Sequence, residues 1–200
     1  MIFCPQCGAR VEERVPEADD RLRKVCPSCA TIHYENPKMV VGCLVECEGK
    51  LLLCRRAIEP ALGKWTPPAG YLELGEGSVA GAVRETYEEA RAKVEVIGLQ
   101  AYLDLPHIGQ MYAFYRAKLE RPEFEAGPES LDVALFDYDE LPWDELAFPV
   151  VHYSLKLFLE DRERSSPAVH TGVLHWTGKG SRLDTKNYRL ESHLRIPIAD

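Results

Sequence analysis

Charged residues between positions 76 and 89 have the types and spacing to bind a divalent cation. Glu76 precedes a segment with helical periodicity, and Arg84, Glu85, Glu88 and Glu89 lie inside it. On a helix of about 100° per residue, the last three glutamates fall within about 100° of one another, where like charges repel. Crowded carboxylate oxygens suit Mg²⁺ or Mn²⁺, which can also hold substrate phosphates. The alternative interpretation is a solvated acidic helix face, the commonest fate of a Glu-Glu pair.

A helix between Gly77 and Ala92 must carry these side chains. We expect Ser78 to be its N-cap, because a serine hydroxyl can accept a hydrogen bond from the first free backbone N–H groups. The helical wheel puts the three glutamates on one exposed stripe. It puts a second set of side chains against a sheet, namely Val79, Val83, Thr86 and Ala90.

Two Cys-x-x-Cys segments form a second group of residues that could bind a metal ion. They are Cys4–Cys7 and Cys26–Cys29, and 18 residues separate them. Two such segments can enclose one Zn²⁺ in a tetrahedron of four thiolates. A redox pair and two small disulfides are the alternatives, but the strand and helix context of a redox site is missing. The other three cysteines lie in apolar runs and are interpreted as buried side chains without chemistry: Cys43, Cys47 and Cys54.

Three segments differ in character. Residues 1–38 are too short for a self-sufficient core, so metal binding would supply their folding energy. Residues 39–160 show apolar runs and periodicity that predict strands at 39–47, 51–54, 94–104, 111–119 and 131–137, and helices at 77–92 and 150–164. This pattern predicts an α+β fold, a mixed sheet with helices packed on it. Residues 161–200 carry a net charge of +2 and no clear period apart from a possible strand near 188–190.

Composition limits the class of protein. Hydrophobic residues make up 46% of the chain, and the net charge is −8. We therefore expect a folded globular protein without bulk affinity for nucleic acid. No apolar run approaches the ~20 residues of a membrane span, and no signal peptide is expected.

The acidic segment resembles the Nudix box, G-x5-E-x7-R-E-u-x-E-E-x-G-u, where u is aliphatic. All six charged or glycine positions up to the last glutamate match, beginning with Gly70 and Glu76. Thr86 departs from the aliphatic position, and Arg91 replaces the terminal glycine. A left-handed conformation at residue 91 would cost on the order of 1 kcal/mol without glycine.

The resemblance extends over residues 3 to about 160 and is greatest to the zinc-ribbon branch of the Nudix family. Within that branch, the chain is most similar to the plant chloroplast FAD pyrophosphatases and their bacterial relatives. Pro67 departs from the leucine that is usual there. Further matching stretches are 3–8, 34–42, 53–60, 63–70, 108–110, 127–130 and 146–148. The resemblance implies the Nudix fold, a mixed β-sheet packed between helices, preceded by a small zinc ribbon.

The resemblance also implies an activity and residue roles. FAD would be hydrolysed to FMN and AMP, or ADP-ribose to AMP and ribose 5-phosphate, with Mg²⁺ or Mn²⁺. Glu85 and Glu89 would be the principal metal ligands, and Glu88 a third ligand or the general base. Glu76 and Arg84 would pair and hold loop and helix in register. Glu129 is an alternative base or a surface acid, and His107 is a weaker candidate for phosphate contact. Cys4, Cys7, Cys26 and Cys29 would hold a structural Zn²⁺.

Other functions stay open. An NADH pyrophosphatase ranks behind ADP-ribose, because the S-Q-P-W-P-F-P-x-S segment of that branch is replaced here by residues 146–150. A zinc-ribbon and Nudix ligand sensor without turnover is the non-enzyme alternative. We expect a small-molecule nucleotide substrate, no nucleic-acid or membrane partner, and a homodimer by resemblance alone. The expected location is cytoplasmic, or the plastid stroma if the chain is a trimmed precursor.

Overall fold

The computed structural model describes residues 1–198. The chain forms two compact units, which meet in sequence between Asn36 and Pro37. No helix within the described part of the chain is long and apolar enough to cross a membrane.

The first unit is a small antiparallel sheet that carries the cysteines in its turns. Its strands are β1 (Glu12–Arg14), β2 (Arg23–Val25) and β3 (Ile32–His33), paired in that order. Cys4, Val25 and Cys26 form its buried interior. So few apolar side chains cannot stabilise 36 residues, so the unit needs a further source of folding energy.

The second unit is a nine-stranded mixed sheet with two α-helices. Its elements in chain order are β4 (Lys38–Cys47), β5 (Lys50–Arg56), β6 (Trp65–Thr66), β7 (Ala69–Tyr71), α1 (Ser78–Ala90), β8 (Val94–Leu105), β9 (Gln110–Leu119), β10 (Ser130–Asp137), α2 (Pro149–Glu163), β11 (Ala168–Trp176) and β12 (Tyr188–Pro197). The strand order is β10-β5-β4-β9-β8-β11-β12, and β6 and β7 pair with β5 and β4. The pairs β4–β9 and β8–β11 are parallel, and the other pairs are antiparallel.

The sheet lies between the two helices, which explains its apolar strands. Ala82 and Ala90 of α1 pack on one face beside Val41 and Leu52. Leu155 and Phe158 of α2 belong to the core on the other face, with Leu44 and Phe114. Central strands such as β4 are therefore buried on both sides, and the α+β mixed sheet packed between helices is confirmed.

The last part of the chain completes the sheet. Strands β11 and β12 form an antiparallel hairpin, which we call the C-terminal hairpin (residues 168–197). Strand β11 pairs with β8 in parallel, so the hairpin extends the sheet at that edge. The strand predicted near 188–190 lies in β12.

The beginning of α1 differs from the prediction. Gly77 is the N-cap residue, and Ser78 is the first helical residue with no capping bond. The Ser78 hydroxyl is instead 2.6 Å from the Tyr115 hydroxyl. Val79, predicted to face the sheet, is exposed, because α1 rests on the sheet through a narrower row of small side chains that includes Ala82 and Ala90.

Helix α1 ends on a left-handed residue at the position of the box glycine. Arg91 has φ 51° and ψ 16°, and its N–H donates to the Tyr87 carbonyl. Its guanidinium lies 5.4 Å from the Tyr87 ring centroid, which is within the range of a cation–π contact. Thr86 is fully buried at the aliphatic position of the box, and its hydroxyl donates to the Ala82 carbonyl.

Candidate active site

The three glutamates of α1 do not share one exposed stripe. The Glu88 side chain is 53% exposed, the Glu85 side chain 13%, and Glu89 is buried at 7%. The segment after β9 covers this end of the helix, since Glu125 N–H donates to the Ala90 carbonyl and Gly127 N–H to the Glu89 carbonyl. The helical wheel could not include this cover, and the prediction of an exposed stripe was wrong for Glu89.

Burial changes the acidity of two of the carboxyl groups. Desolvation raises the pKa of Glu89 to about 7, although Ala69 N–H donates to its Oε2 at 3.0 Å. Desolvation also raises the pKa of Glu85, although the Arg84 guanidinium contacts it. The Glu85 carboxylate sits against Gly70, where any Cβ would collide with it. A larger residue at position 70 would therefore displace the Glu85 carboxylate from its present position.

Arg84 connects the loop before α1 to the acidic face. Its Nε and Nη2 donate to the two carboxylate oxygens of Glu76 at 3.0 and 2.7 Å. Its Nη1 donates to Glu85 at 2.8 Å and to Glu88 at 2.9 Å. The bidentate contact lowers the pKa of Glu76 to about 2. The predicted Glu76–Arg84 pair is thus present, and the same arginine orients two further carboxylates.

A cleft of about 760 Å³ opens over this face. The acidic end holds Glu85, Glu88 and Glu89, with Glu129 on the adjoining loop. Much of the remaining lining is apolar or aromatic, with Leu105, Tyr112, Phe114 and Phe148 from the body of the unit. Leu183 and Tyr188 of the C-terminal hairpin also belong to it. Acidic groups at one end and rings along the walls suit a ligand with both phosphate and aromatic parts.

Sequence reasoning missed the aromatic wall and the contribution of the hairpin. The alternation of apolar side chains along a strand predicts that they are buried, but it does not predict that they line a ligand pocket. His107, the weaker candidate for phosphate contact, does not line the cleft, and its Nε2 is 3.0 Å from the Tyr188 hydroxyl. No sequence signal brings residues 107 and 188 together.

The first unit contains a candidate metal site made of four cysteine side chains. One ligand atom from each of Cys4, Cys7, Cys26 and Cys29 lies within 4.8 Å of the others. Across the two segments, the Cys4 and Cys29 sulfurs are 3.7 Å apart, and those of Cys7 and Cys26 are 3.4 Å apart. Tetrahedral Zn²⁺ with Zn–S bonds of ~2.3 Å needs sulfurs ~3.8 Å apart, so the donor set fits zinc. Cys43 and Cys54 are buried as predicted, and Cys47 is partly exposed.

Comparison with known proteins finds a family match for each of the two units. Residues 3–35 match the zinc-ribbon family described as Nudix N-terminal, and residues 36–156 match the NUDIX domain family. A crystal structure of a NUDIX hydrolase from Nitrosomonas europaea is 53% identical, with a TM-score of 0.84 over 86% of this chain and 98% of that one.

Two curated relatives carry more specific names. A protein of Stutzerimonas stutzeri named NAD-capped RNA hydrolase NudC is 28% identical over 80% of this chain and 56% of its own length. An ADP-ribose pyrophosphatase of Methanocaldococcus jannaschii is 29% identical over 58% of this chain and 69% of its own length. The chain thus spans little more than half the length of the NudC relatives that it matches.

Carboxylates on one helix face at the end of a cleft of about 760 Å³ form the kind of site found in metal-assisted hydrolases. Within that class the chain belongs to the Nudix hydrolase family, and its first unit is the zinc ribbon of one branch of that family.

Proposed function

We propose that this Nudix pyrophosphohydrolase cleaves the diphosphate of a dinucleotide, and that FAD is its substrate, giving FMN and AMP. The observation that carries the proposal is the continuous cleft from the carboxylates to the aromatic wall. A diphosphate at the acidic end leaves a ring system to contact Tyr112, Phe148 and Tyr188. The choice of FAD among dinucleotides rests on the resemblance to the FAD pyrophosphatases.

The acidic face fits the divalent cation that the family uses. Burial of Glu85 and Glu89 raises the pKa of both carboxyl groups, which is the unfavourable electrostatic situation that a cation relieves. Their oxygens are the hard ligands that Mg²⁺ and Mn²⁺ prefer. We propose Glu85, Glu89 and Glu88 as the ligands. When bound, the cation would neutralise diphosphate charge and acidify the attacking water.

The chain's own residues have separate tasks in this mechanism. Ala69 N–H and Arg84 hold Glu89 and Glu85 in place, so that the diphosphate meets preorganised carboxylates. A general base takes a proton from the water as it attacks phosphorus and the P–O bond to the leaving phosphate breaks. We assign this base to Glu129, because Glu88 accepts a hydrogen bond from Arg84, whereas Glu129 lines the cleft without a side-chain partner within residues 1–198.

The substrate assignment is tested by comparing kcat/KM for FAD, ADP-ribose and NADH with Mg²⁺ and with Mn²⁺, with products separated by chromatography. FMN and AMP formed from FAD with the highest kcat/KM support the proposal. A higher kcat/KM for ADP-ribose or NADH overturns the substrate and keeps the mechanism. No turnover of any of the three would favour the ligand-sensor alternative.

A nicotinamide dinucleotide is the second candidate, because several relatives are named as NAD-capped RNA hydrolases and one as an NAD(P)H pyrophosphatase. An RNA with such a cap would present a dinucleotide to the cleft, so the net charge of −8 does not rule out this substrate. Homodimerisation and a cytoplasmic location remain predictions.

A further inference from the structure

The loop between β11 and β12 forms one wall of the cleft. Arg182 and Leu183 from this loop, and Tyr188 at the start of β12, line the same cavity as the α1 glutamates. Leu183 is 47% exposed at this position, so a ligand in the cleft would cover apolar surface that is now in contact with water.

Hydrogen bonds hold this loop in one conformation. The Tyr188 hydroxyl donates to the Arg182 carbonyl at 3.0 Å. Because that proton is used, the 3.0 Å contact with His107 requires His107 Nε2–H to donate to the Tyr188 oxygen. Burial lowers the pKa of His107, which favours this neutral form. Asn187 Nδ2 also donates to the Ser181 carbonyl at 2.9 Å, closing the loop on itself.

The Arg182 guanidinium has a fixed support but no acidic partner. It lies 4.8 Å from the ring centroid of Trp176, and no carboxylate within residues 1–198 pairs with it. A guanidinium stacked on an indole keeps one flat face and its N–H edge available to a ligand. The free face of such a group can stack on a planar heterocycle, while its N–H edge can donate to acceptors of the same ligand.

The position of the hairpin in the sequence indicates which half of the substrate it contacts. Residues 168–197 lie outside the match to the NUDIX domain, which ends at residue 156. The substrates printed in the names of the curated relatives, ADP-ribose, NAD(P)H and NAD-capped RNA, share an ADP moiety and differ in the group attached to it. The C-terminal hairpin lies outside the matched catalytic domain, so it is suited to contact the group of the substrate that differs among these relatives.

We infer that the C-terminal hairpin is a specificity element, in which Arg182, Leu183 and Tyr188 bind the planar ring of the nucleoside opposite the ADP moiety. His107 is a positioning residue that acts through the Tyr188 hydroxyl and does not touch the substrate. This inference rests on the proposed dinucleotide substrate.

The test uses the full-length protein and two substrates that share ADP, namely the better of FAD and NADH, and ADP-ribose. Arg182→Ala and Leu183→Ser should each raise KM for the dinucleotide about fivefold or more, a loss of the order expected for one stacking contact. Their kcat/KM for ADP-ribose should stay within about twofold of wild type, which also verifies that the variants are folded. Lys179→Ala and Lys186→Ala are matched controls, because both are exposed cations of the same loop that do not line the cleft.

Tyr188→Phe and His107→Ala test the positioning role. Both should raise KM for the dinucleotide while kcat changes less, and ADP-ribose cleavage should be retained. Equal losses on both substrates would overturn the inference, as would an unchanged dinucleotide KM or an equal effect of the lysine controls. Wild-type cleavage of NADH without FAD would refute only the proposed flavin substrate, whereas cleavage of ADP-ribose alone would overturn both proposals.

Discussion

At the residue scale, Glu88 and Glu129 differ in their surroundings more than in their chemistry. Arg84 Nη1 donates to Glu88 at 2.9 Å, so one oxygen of that carboxylate is already engaged by a cation. Glu129 faces the cleft from the loop after Gly127, whose N–H is bonded to the Glu89 carbonyl. The loop therefore places a carboxylate in the same cleft as the proposed metal ligands without tying it to a cation.

This contrast predicts the effect of Glu129→Gln, which keeps the shape of the side chain and removes the base. We expect kcat to fall about 100-fold or more, within the range for loss of general base catalysis, while KM changes little. Steady-state kinetics with FAD measure the effect. Glu125→Gln, an exposed acid of the same segment, should retain wild-type kcat, and retention by Glu129→Gln would move the base to Glu88.

Glu76 gives a prediction for pH. Its pKa in the folded protein is about 2, below the ordinary value of 4.5, because Arg84 binds its carboxylate. The ion pair therefore stabilises the fold fully above pH 4.5, and this contribution is lost as pH falls from 4.5 towards 2. Urea unfolding of wild type and Glu76→Gln should differ at pH 7 and converge as pH falls to about 2. Glu73→Gln should show no such convergence, and a pH-independent difference for Glu76→Gln would contradict the assignment.

At the element scale, α2 is tied to the C-terminal hairpin by a buried acid. Asp161 accepts hydrogen bonds from the Ala168 N–H, from Arg195 Nε at 3.0 Å and from His170 Nε2 at 3.1 Å. Asp161 is 5% exposed and His170 1% exposed. These partners keep the pKa of Asp161 below its ordinary value despite the opposing effect of burial.

Removing this carboxylate should destabilise the protein. Asp161→Ala leaves His170 and Arg195 without their acceptor, and we expect the free energy of unfolding to fall by about 3 kcal/mol. Chemical denaturation of the second unit measures the loss. Glu160→Ala, which removes only a 4.0 Å surface pair with Arg164, should cost less than about 1 kcal/mol. Equal effects of the two variants would show that the buried network contributes little.

The elements that the sequence could predict are those with a local pattern of apolar residues. Strands β4, β5, β8, β9 and β10 and both helices follow from local apolar periodicity, and all were predicted close to their observed positions. The exposure of Glu89 was predicted wrongly, because the segment at 125–127 covers it from more than 30 residues away. The wall formed by Arg182, Leu183 and Tyr188 depends on β11 pairing with β8, a contact between distant segments that has no local signal.

At the scale of the whole molecule, the two units derive their stability from different sources. The second unit has an apolar core on each face of its sheet, whereas the first has four cysteine ligands and a very small interior. Zinc binding should therefore be inseparable from the folding of residues 1–36 and separable from that of the second unit.

Zinc removal tests this division of stability. Metal analysis should find about one Zn²⁺ per chain, and Cys26→Ser should abolish it. Limited proteolysis of that variant should cleave within residues 1–36 and leave the second unit intact. Cys47→Ser, which changes a thiol outside the cluster, should keep both the zinc and the resistance to proteolysis. Cleavage throughout the chain of Cys26→Ser would contradict independent units.

We propose that the buried carboxylate of Glu89 takes part in hydrolysis of a dinucleotide diphosphate. The decisive experiment separates the products formed from FAD and Mg²⁺ by wild type and by Glu89→Gln. We predict FMN and AMP in equal amounts from wild type, and a rate at least about 100-fold lower from the variant, which retains the hydrogen-bonding shape but not the charge. Undiminished product formation by Glu89→Gln, or products other than FMN and AMP from wild type, would contradict the account.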